Sequence, residues 1–326
     1  MTRVLITGAA GFVGCHLATE LCQREGYELT LVDNFARGRR DADLGILLGY
    51  PNVHLISADL SSPGAFEQLG AGYDHVYHLA AIIGVKNVLS RPWDVVRINA
   101  LTTLHLLEWF CGGGGRKLLF SSTSEAYAWT QKFHKLPIPT PEDVPLALTE
   151  IGNARSSYAG SKIFGELAIT HACASAGRPF VIVRYHNVYG ARMGFEHVIP
   201  ELYERALAGE NPLVVYSTNH SRAFCYVSDA VAATIAAMES EAANGATLNI
   251  GNEEEEVTIG ELAQRILAKV QPEAKIEPRE AKHDPILRRC PDISRARELL
   301  GYAPRVPLDE GLEKTFAWYR PHLPRA

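Results

Sequence analysis

Tyr158 and Lys162 stand four positions apart in the stretch RSSYAGSK (155–162), just ahead of the apolar residues Ile163, Phe164, Leu167 and Ala168. On a helix, that spacing puts both side chains on one face, so they can point together into a cleft. A tyrosine with its ordinary pKa of about 10 is a poor base at neutral pH, but a neighbouring ammonium favours the phenolate and lowers that value. Such a phenolate removes the proton of a sugar or alcohol hydroxyl. A Tyr-x-x-x-Lys pair also arises by chance on helix surfaces, so its weight comes from combination. Upstream, FSSTSEAY (120–127) supplies Ser122 or Thr123 to hydrogen-bond a reacting oxygen and Glu125 as a second acid or base. Turn capping is the alternative role for the hydroxyls, and a surface salt bridge for Glu125.

A second constellation lies at the N-terminal end. GAAGFVG (8–14) begins where the strand-like RVLITG (3–8) ends and runs into the helix-like CHLATELCQ, with Gly8, Gly11 and Gly14 three apart. A sharp strand-to-helix turn needs residues without a Cβ, and the helix N-terminus offers unpaired N–H groups to a pyrophosphate. Asp33 closes the second strand, where a carboxylate accepts hydrogen bonds from the adenosine ribose and repels a 2′-phosphate. That favours NAD over NADP, with Arg37, Arg39 and Arg40 close enough to offset the repulsion. Asp59, after the third strand, reaches the adenine edge or caps a helix.

The elements that must position these groups follow from a repeated pattern. The β-rich runs RVLITG, YELTLVD (27–33), VHLISAD (53–59), HVYHLA (75–80), RKLLFSS (116–122) and PFVIVRY (179–185) alternate with helix-like stretches. Their cores are continuously apolar, as in strands covered by helices on both faces, so the fold class is α/β, a doubly wound parallel sheet. In such a sheet ligands bind outside the carboxyl ends of the strands, where FSSTSEAY falls. Near residue 186 the rhythm changes to a smaller α+β lobe, with a returning strand at LVVY (213–216) and a capping box at Thr258 and Glu261 before a helix stopped by Pro272. The expected division is a Rossmann domain over 1–185, rejoined by 223–252, and a substrate-binding lobe over 186–222 and 253–326. Gly112–Gly115 is expected as a helix-to-strand loop.

With 326 residues, 47% of them apolar, and a net charge of −5, the chain offers no electrostatic case for nucleic acid or an anionic membrane surface. No run approaches a membrane span and the N-terminal stretch lacks the features of a signal peptide, so a cytoplasmic protein is expected. Six scattered cysteines without Cys-x-x-Cys spacing read as reduced structural thiols, and no metal site is expected. His75 and His78 read as histidines at a strand edge.

Taken together, the glycine loop, Asp33, HLAA (78–81), the Ser/Thr patch, the Tyr-Lys pair, RYHNVYG (184–190), RAFCYVSD (222–229) and PDISRARELLGYAPRVPLDEGL (291–312) resemble the extended short-chain dehydrogenases. More narrowly they resemble the NAD-dependent nucleotide-sugar epimerases, dehydratases and decarboxylases. The resemblance implies that Tyr158 and Lys162, with Thr123 and the neighbouring Ser124 and Glu125, oxidise a sugar at C4 and that the hydride returns in the same site. It implies cofactor contacts from Gly8, Gly11, Phe12, Val13, Gly14, Asp33, Asn34, Asp59, Leu60, Leu79, Ala80, Ala81 and Asn99. Asn187 and Arg222, with Arg288 or Arg289, are implied for the nucleotide-sugar diphosphate, Val198 for the substrate pocket, and a homodimer through the Tyr-Lys helix and its neighbour. Ser124-Glu125 and Arg289 resemble the UDP-glucuronate decarboxylases, whereas GSKIFGE and RYHNVYGARMGFEHVIPEL resemble epimerase-type members. UDP-glucuronate 4-epimerases tend to carry a carboxylate-binding arginine where this chain has Gly194, leaving Arg192 as the substitute. The motifs alone favour a UDP-hexose 4-epimerase, with a UDP-glucuronate decarboxylase or 4,6-dehydratase next and a non-catalytic dinucleotide sensor as the reading from another class.

Overall fold

The computed structural model describes residues 1–133, 135–280 and 286–323. Seven parallel strands form the main sheet: β1 (Thr2–Thr7), β2 (Tyr27–Asp33), β3 (Val53–Ser57), β4 (Tyr73–His78), β5 (Gly115–Thr123), β6 (Phe180–Tyr185) and a seventh, Thr247–Ile250, in the order 3-2-1-4-5-6-seventh. Successive residues of a strand face opposite sides, which explains the continuous apolar runs: Val4 and Ile6 join one buried cluster with Leu29 and Leu31, while Leu5 joins another with Val76, Leu118 and Phe120. Helices α1 (Phe12–Cys22) and α2 (Ala42–Leu47) follow the first two strands, and α3 (Val85–Ser90) and α4 (Pro92–Trp109) follow β4. After β5 come α5 (Ala128–Phe133) and the long α6 (Ser156–Ala176), which packs on α4.

Strand order reverses between β1 and β4, which are neighbours although β2 and β3 separate them in the chain. This is the switch point where an open α/β sheet leaves a crevice, and the glycine loop sits on it.

The second lobe gathers small sheets around the chain from β7 (Val188–Tyr189) onward. β8 is Leu213–Tyr216, β9 Ser221–Ala223 and β10 Cys225–Tyr226; the main sheet's seventh strand is β11, followed by β12 (Glu256–Thr258), β13 (Ile276–Arg279) and β14 (Arg288–Arg289). Helices α7 (Val198–Leu207), α9 (Ile259–Val270), α10 (Ser294–Leu300) and α11 (Leu308–Tyr319) complete it, while α8 (Val227–Glu239) lies against α1 on the main sheet. The capping box holds: Thr258 accepts from the Glu261 amide, and Glu261 accepts from the Thr258 amide at 2.8 Å. Stacked rings of Tyr203 and Phe316, 4.0 Å apart, join α7 to α11.

Three expectations need correction. LVVY is a strand, but it pairs with β13 in a sheet of its own rather than returning to the main one. The glycine tract does join helix to strand but in a tighter form than a loop: Phe110–Gly114 is a π-type turn broken by Gly113 at φ +110°, and Gly115 already belongs to β5. His78 is not at an edge. It ends the central strand β4, fully buried, with Nδ1 bonded to the Thr7 hydroxyl at 2.8 Å and its ring stacked on Phe120. Burial pushes its pKa down to about 3, so it stays neutral.

Candidate active site

A cavity of about 770 Å³ runs along the carboxyl ends of the main strands. The glycine loop forms its floor. Gly8 has φ +71°, a left-handed conformation, and a Cβ there would come 2.8 Å from the Ala80 amide nitrogen. A Cβ on Gly14 would land against the Gly8 carbonyl oxygen, closer than any non-bonded contact allows. Strand, loop and helix therefore approach one another with no side chain between them. Gly11 is the N-cap of α1 and gives it no side-chain cap, which leaves the first-turn N–H groups of an 11-residue helix facing the cavity.

Asp33 stands on the wall at the end of β2, held by the amides of Ala10 (3.0 Å) and Phe35 (2.8 Å). Burial raises its pKa, those two amides lower it, and the residue lines the cavity. Arg39 is stacked over Phe195 and Arg40 over Phe35 (centroids 4.9 and 3.6 Å), so aromatic faces occupy both guanidiniums. Phe12, Val13, Asn34, Asp59, Leu60, Leu79, Ala80 and Ala81 all line the same cavity. The side-chain-free floor, helix N-terminus and wall carboxylate fit a dinucleotide. Asp59 forms a turn with Ser61, accepting from its amide at 3.0 Å, rather than capping a helix. Asn99 does not reach the cavity: its amide group bonds both backbone groups of Ile82 and the Ser161 hydroxyl, fixing the loop after β4 onto α6. It is a positioning residue, because α4 carries it behind the loop.

Farther along, β5 delivers Ser121, Ser122 and Thr123, with Ser124 in the turn just beyond, all buried, opposite the first two turns of α6. Tyr158 and Lys162 both line the cavity, as their spacing predicts. Lys162 is 4% exposed and donates to the Ser121 carbonyl at 2.7 Å, with the Phe120 ring 4.7 Å away. Burial pulls its pKa down to about 7, against the opposing charge of Glu166. Glu166, one turn farther on, accepts from the Ser122 hydroxyl and forms a two-pronged pair with Arg184 (2.9 and 2.6 Å). The phenol does not behave as the spacing alone suggests. Burial pushes Tyr158 up to about 12, the Thr123 hydrogen bond pulls it down, Glu125 pushes it up and Arg37 pulls it down. Burial outweighs the nearby cations, and the Lys162 ammonium is spent on a carbonyl.

Across the cleft, Arg289 from β14 reaches Glu125 and forms an ion pair with it; both residues line the cavity, as does Ser124. Asn187 also lines it, with its side-chain amide on the Ala223 carbonyl at 3.2 Å. The other substrate-side expectations change. Arg192 touches the cavity but is only 5% exposed, and its guanidinium is committed to Asp41 at 2.9 and 3.0 Å and to Asp43. It ties the loop before α2 to the substrate lobe, and its charge is already neutralised. Arg288, its neighbour's side chain turned inward, points outward to Glu256 at 2.7 Å. Arg222 is buried with its donors on the carbonyls of Ile286 and Leu287, away from the cavity. Val198 opens α7 and packs against the core, while the preceding His197 faces the cleft. His197 and the reach of Arg37 escaped sequence reasoning, since neither belongs to a spaced motif. Among the described residues, no group of three or more His, Cys, Asp or Glu could hold a metal ion, and no helix is long and apolar enough to cross a membrane. All six cysteines are free thiols.

Residues 4–251 match the model of the NAD dependent epimerase/dehydratase family. A UDP-N-acetyl-alpha-D-glucosaminuronate decarboxylase of Bacillus cytotoxicus is 36% identical over 327 aligned positions, covering 98% of each chain. UDP-glucuronic acid decarboxylase 1 of Danio rerio is 36% identical over 98% of this chain and 73% of its own length. Among solved structures, UDP-glucuronic acid 4-epimerase from Bacillus cereus, in complex with UDP-glucuronic acid and NAD, superposes with a TM-score of 0.85 at 27% identity, over 98% of this chain and 100% of that one.

Proposed function

This chain belongs to the NAD-dependent epimerase/dehydratase family, and on that premise we propose that it decarboxylates a UDP-hexuronate through a 4-keto sugar. NAD is the cofactor. The observation that carries the reading is the Ser124, Glu125 and Arg289 group, closed across the cleft from the phenol of Tyr158. The two decarboxylase relatives, aligned over nearly the whole chain, support it. This reverses the order that the motifs alone suggest.

The chemistry follows from carbonyl reactivity. When bound, NAD reversibly takes hydride from C4 and brings a cationic ring whose charge favours the Tyr158 phenolate. Tyr158 accepts the C4 hydroxyl proton at its Oη, with the Thr123 hydroxyl beside it to orient the oxygen. A carboxylate on C5 is then β to the C4 carbonyl. The bond from C5 to the carboxyl carbon breaks, carbon dioxide leaves, and the electron pair moves onto the C4 oxygen, where Tyr158 and Thr123 stabilise it. C5 takes up a proton from water, a relay we give to Glu125, which lines the cavity, and the ketone is reduced again. Redox change nets to nothing. Lys162 holds the base of this wall through the Ser121 carbonyl.

We also assign a homodimer through α4 and α6. They expose Trp93 (69%), Val96, Leu104, Phe164 and Leu167 (58%), and Trp93, Val96 and Phe164 line one depression between the two packed helices.

Incubation with UDP-glucuronate and UDP-N-acetylglucosaminuronate, followed by mass spectrometry and proton NMR, tests the reading. Loss of the mass of carbon dioxide is expected, abolished in Tyr158→Phe. A 4-epimerase, the reading favoured by the superposition on UDP-glucuronic acid 4-epimerase, would leave the mass unchanged and give a new anomeric signal.

A further inference from the structure

One cation in the cleft has no role in the chemistry above. Arg37 leaves the loop after β2, yet its guanidinium lies on the far side of the cavity. One terminal nitrogen is 3.4 Å from where a side chain on Gly84 would begin and 3.3 Å from where one on Gly194 would begin. Gly84 opens α3 on the Rossmann side and Gly194 lies in the substrate lobe, so a missing side chain on each wall makes room for it. The His197 ring flanks the same point at 3.3 Å from the Gly194 position. Above them, Lys86 and Glu196 pair across the mouth at 3.7 Å.

The contrast with the other cleft arginines decides its use. Arg192 is neutralised by Asp41 and Asp43, and Arg289 is paired with Glu125. Arg37 forms no ion pair with a carboxylate among the described residues; partial burial lowers its pKa, and the charges that oppose this, Tyr158 and then Glu196, act from a distance. It is solvent-accessible, and it stands near enough to the catalytic phenol to lower that group's pKa. A guanidinium is a planar fork matched to a carboxylate, and it is offered where the sugar must lie.

We propose that Arg37 is the specificity residue that binds the hexuronate carboxylate, reaching from the cofactor-side loop to the position above Gly194. The inference rests on the hexuronate reading. An ion pair to the leaving carboxylate is strongest in the bound substrate and fades as carbon dioxide departs, so this contact selects the substrate and does not accelerate the carbon–carbon cleavage.

Calorimetric binding of UDP-glucuronate and UDP-glucose to the NAD-loaded protein, with NAD content measured after denaturation, tests this in wild type, Arg37→Gln and Arg37→Lys. Wild type should prefer UDP-glucuronate. Arg37→Gln should weaken it by roughly 10- to 100-fold, the range of a charge-assisted hydrogen bond, while UDP-glucose affinity and NAD content stay unchanged. Arg37→Lys should recover part of the loss, because it keeps the charge without the fork. In turnover, KM should rise; any fall in kcat should come only from the lost pull on the Tyr158 phenol and so be relieved at higher pH. Equal weakening of both sugars, loss of NAD, or no preference in wild type would overturn the assignment; NAD loss would place Arg37 on the cofactor diphosphate instead. If the Arg37-dependent preference is present but no carbon dioxide is released, the assignment stands and the decarboxylase reading falls.

Discussion

Replacing Lys162 with methionine should stabilise the protein stripped of NAD, and the gain should depend on pH. The ammonium is enclosed at the base of the catalytic wall with one carbonyl, one ring face and the charge of Glu166 to compensate its lost water. Burial pulls its pKa from 10.5 to about 7. Below pH 7 both folded and unfolded chains keep the proton and the whole burial cost is felt; between about 7 and 10.5 the folded protein sheds a proton that the unfolded chain retains, so the cost shrinks as pH rises. At about 1.4 kcal/mol per pKa unit, the cost is about 4 kcal/mol at pH 7 and about 2 kcal/mol at pH 9. Methionine of similar length removes the titration and leaves the Ser121 carbonyl without its donor, a loss of about 1 kcal/mol at either pH. The Lys162→Met variant should therefore lead wild type by about 3 kcal/mol at pH 7 and about 1 kcal/mol at pH 9. Urea denaturation of both proteins at the two pH values reads this directly, because every other titrating group is common to the pair. Parallel stability changes with pH in both proteins would refute the reasoning. The variant should be inactive, which would mark Lys162 as kept for catalysis at the expense of stability.

Three further outcomes follow from the same geometry. Gly8→Ala places a Cβ 2.8 Å from the Ala80 amide nitrogen at φ +71°; strain of roughly 1–3 kcal/mol should displace the loop, and the purified variant should carry little NAD by absorbance. Arg192→Gln leaves Asp41 and Asp43, both partly solvated, without their shared cation, so a loss of about 1–3 kcal/mol is expected, read as a lower thermal midpoint; UDP-sugar affinity should survive in the NAD-loaded fraction, since the guanidinium serves the loop and not the substrate. Leu167→Glu, placing a charge among the exposed apolar residues of α6, should yield a monomer by light scattering without disturbing the strand wall that carries Thr123.

Much of this molecule is dictated locally. Continuous apolar runs can be buried only between two layers of helices, glycines at three-residue spacing after a strand permit one kind of turn, and a four-residue spacing fixes Tyr158 and Lys162 to one helix face. The capping box at Thr258 and Glu261 is equally local, since both partners lie within one turn. These rules depend on neighbours in the chain, so the sheet, the cofactor loop and the catalytic pair can be read without coordinates. The fate of each arginine cannot. Arg192 is by sequence the substitute for the carboxylate arginine that Gly194 lacks, but Asp41, far away in the chain, claims it; Arg37 belongs by sequence to the cofactor loop, yet its side chain crosses to Gly194. The same holds for the phenol, raised by burial that only the packed walls create, and for Asn99, turned onto a loop backbone by the packing of α4 on α6. Local spacing fixes which backbone a residue stands on; only the tertiary structure decides which partner a long side chain reaches and how much water it keeps.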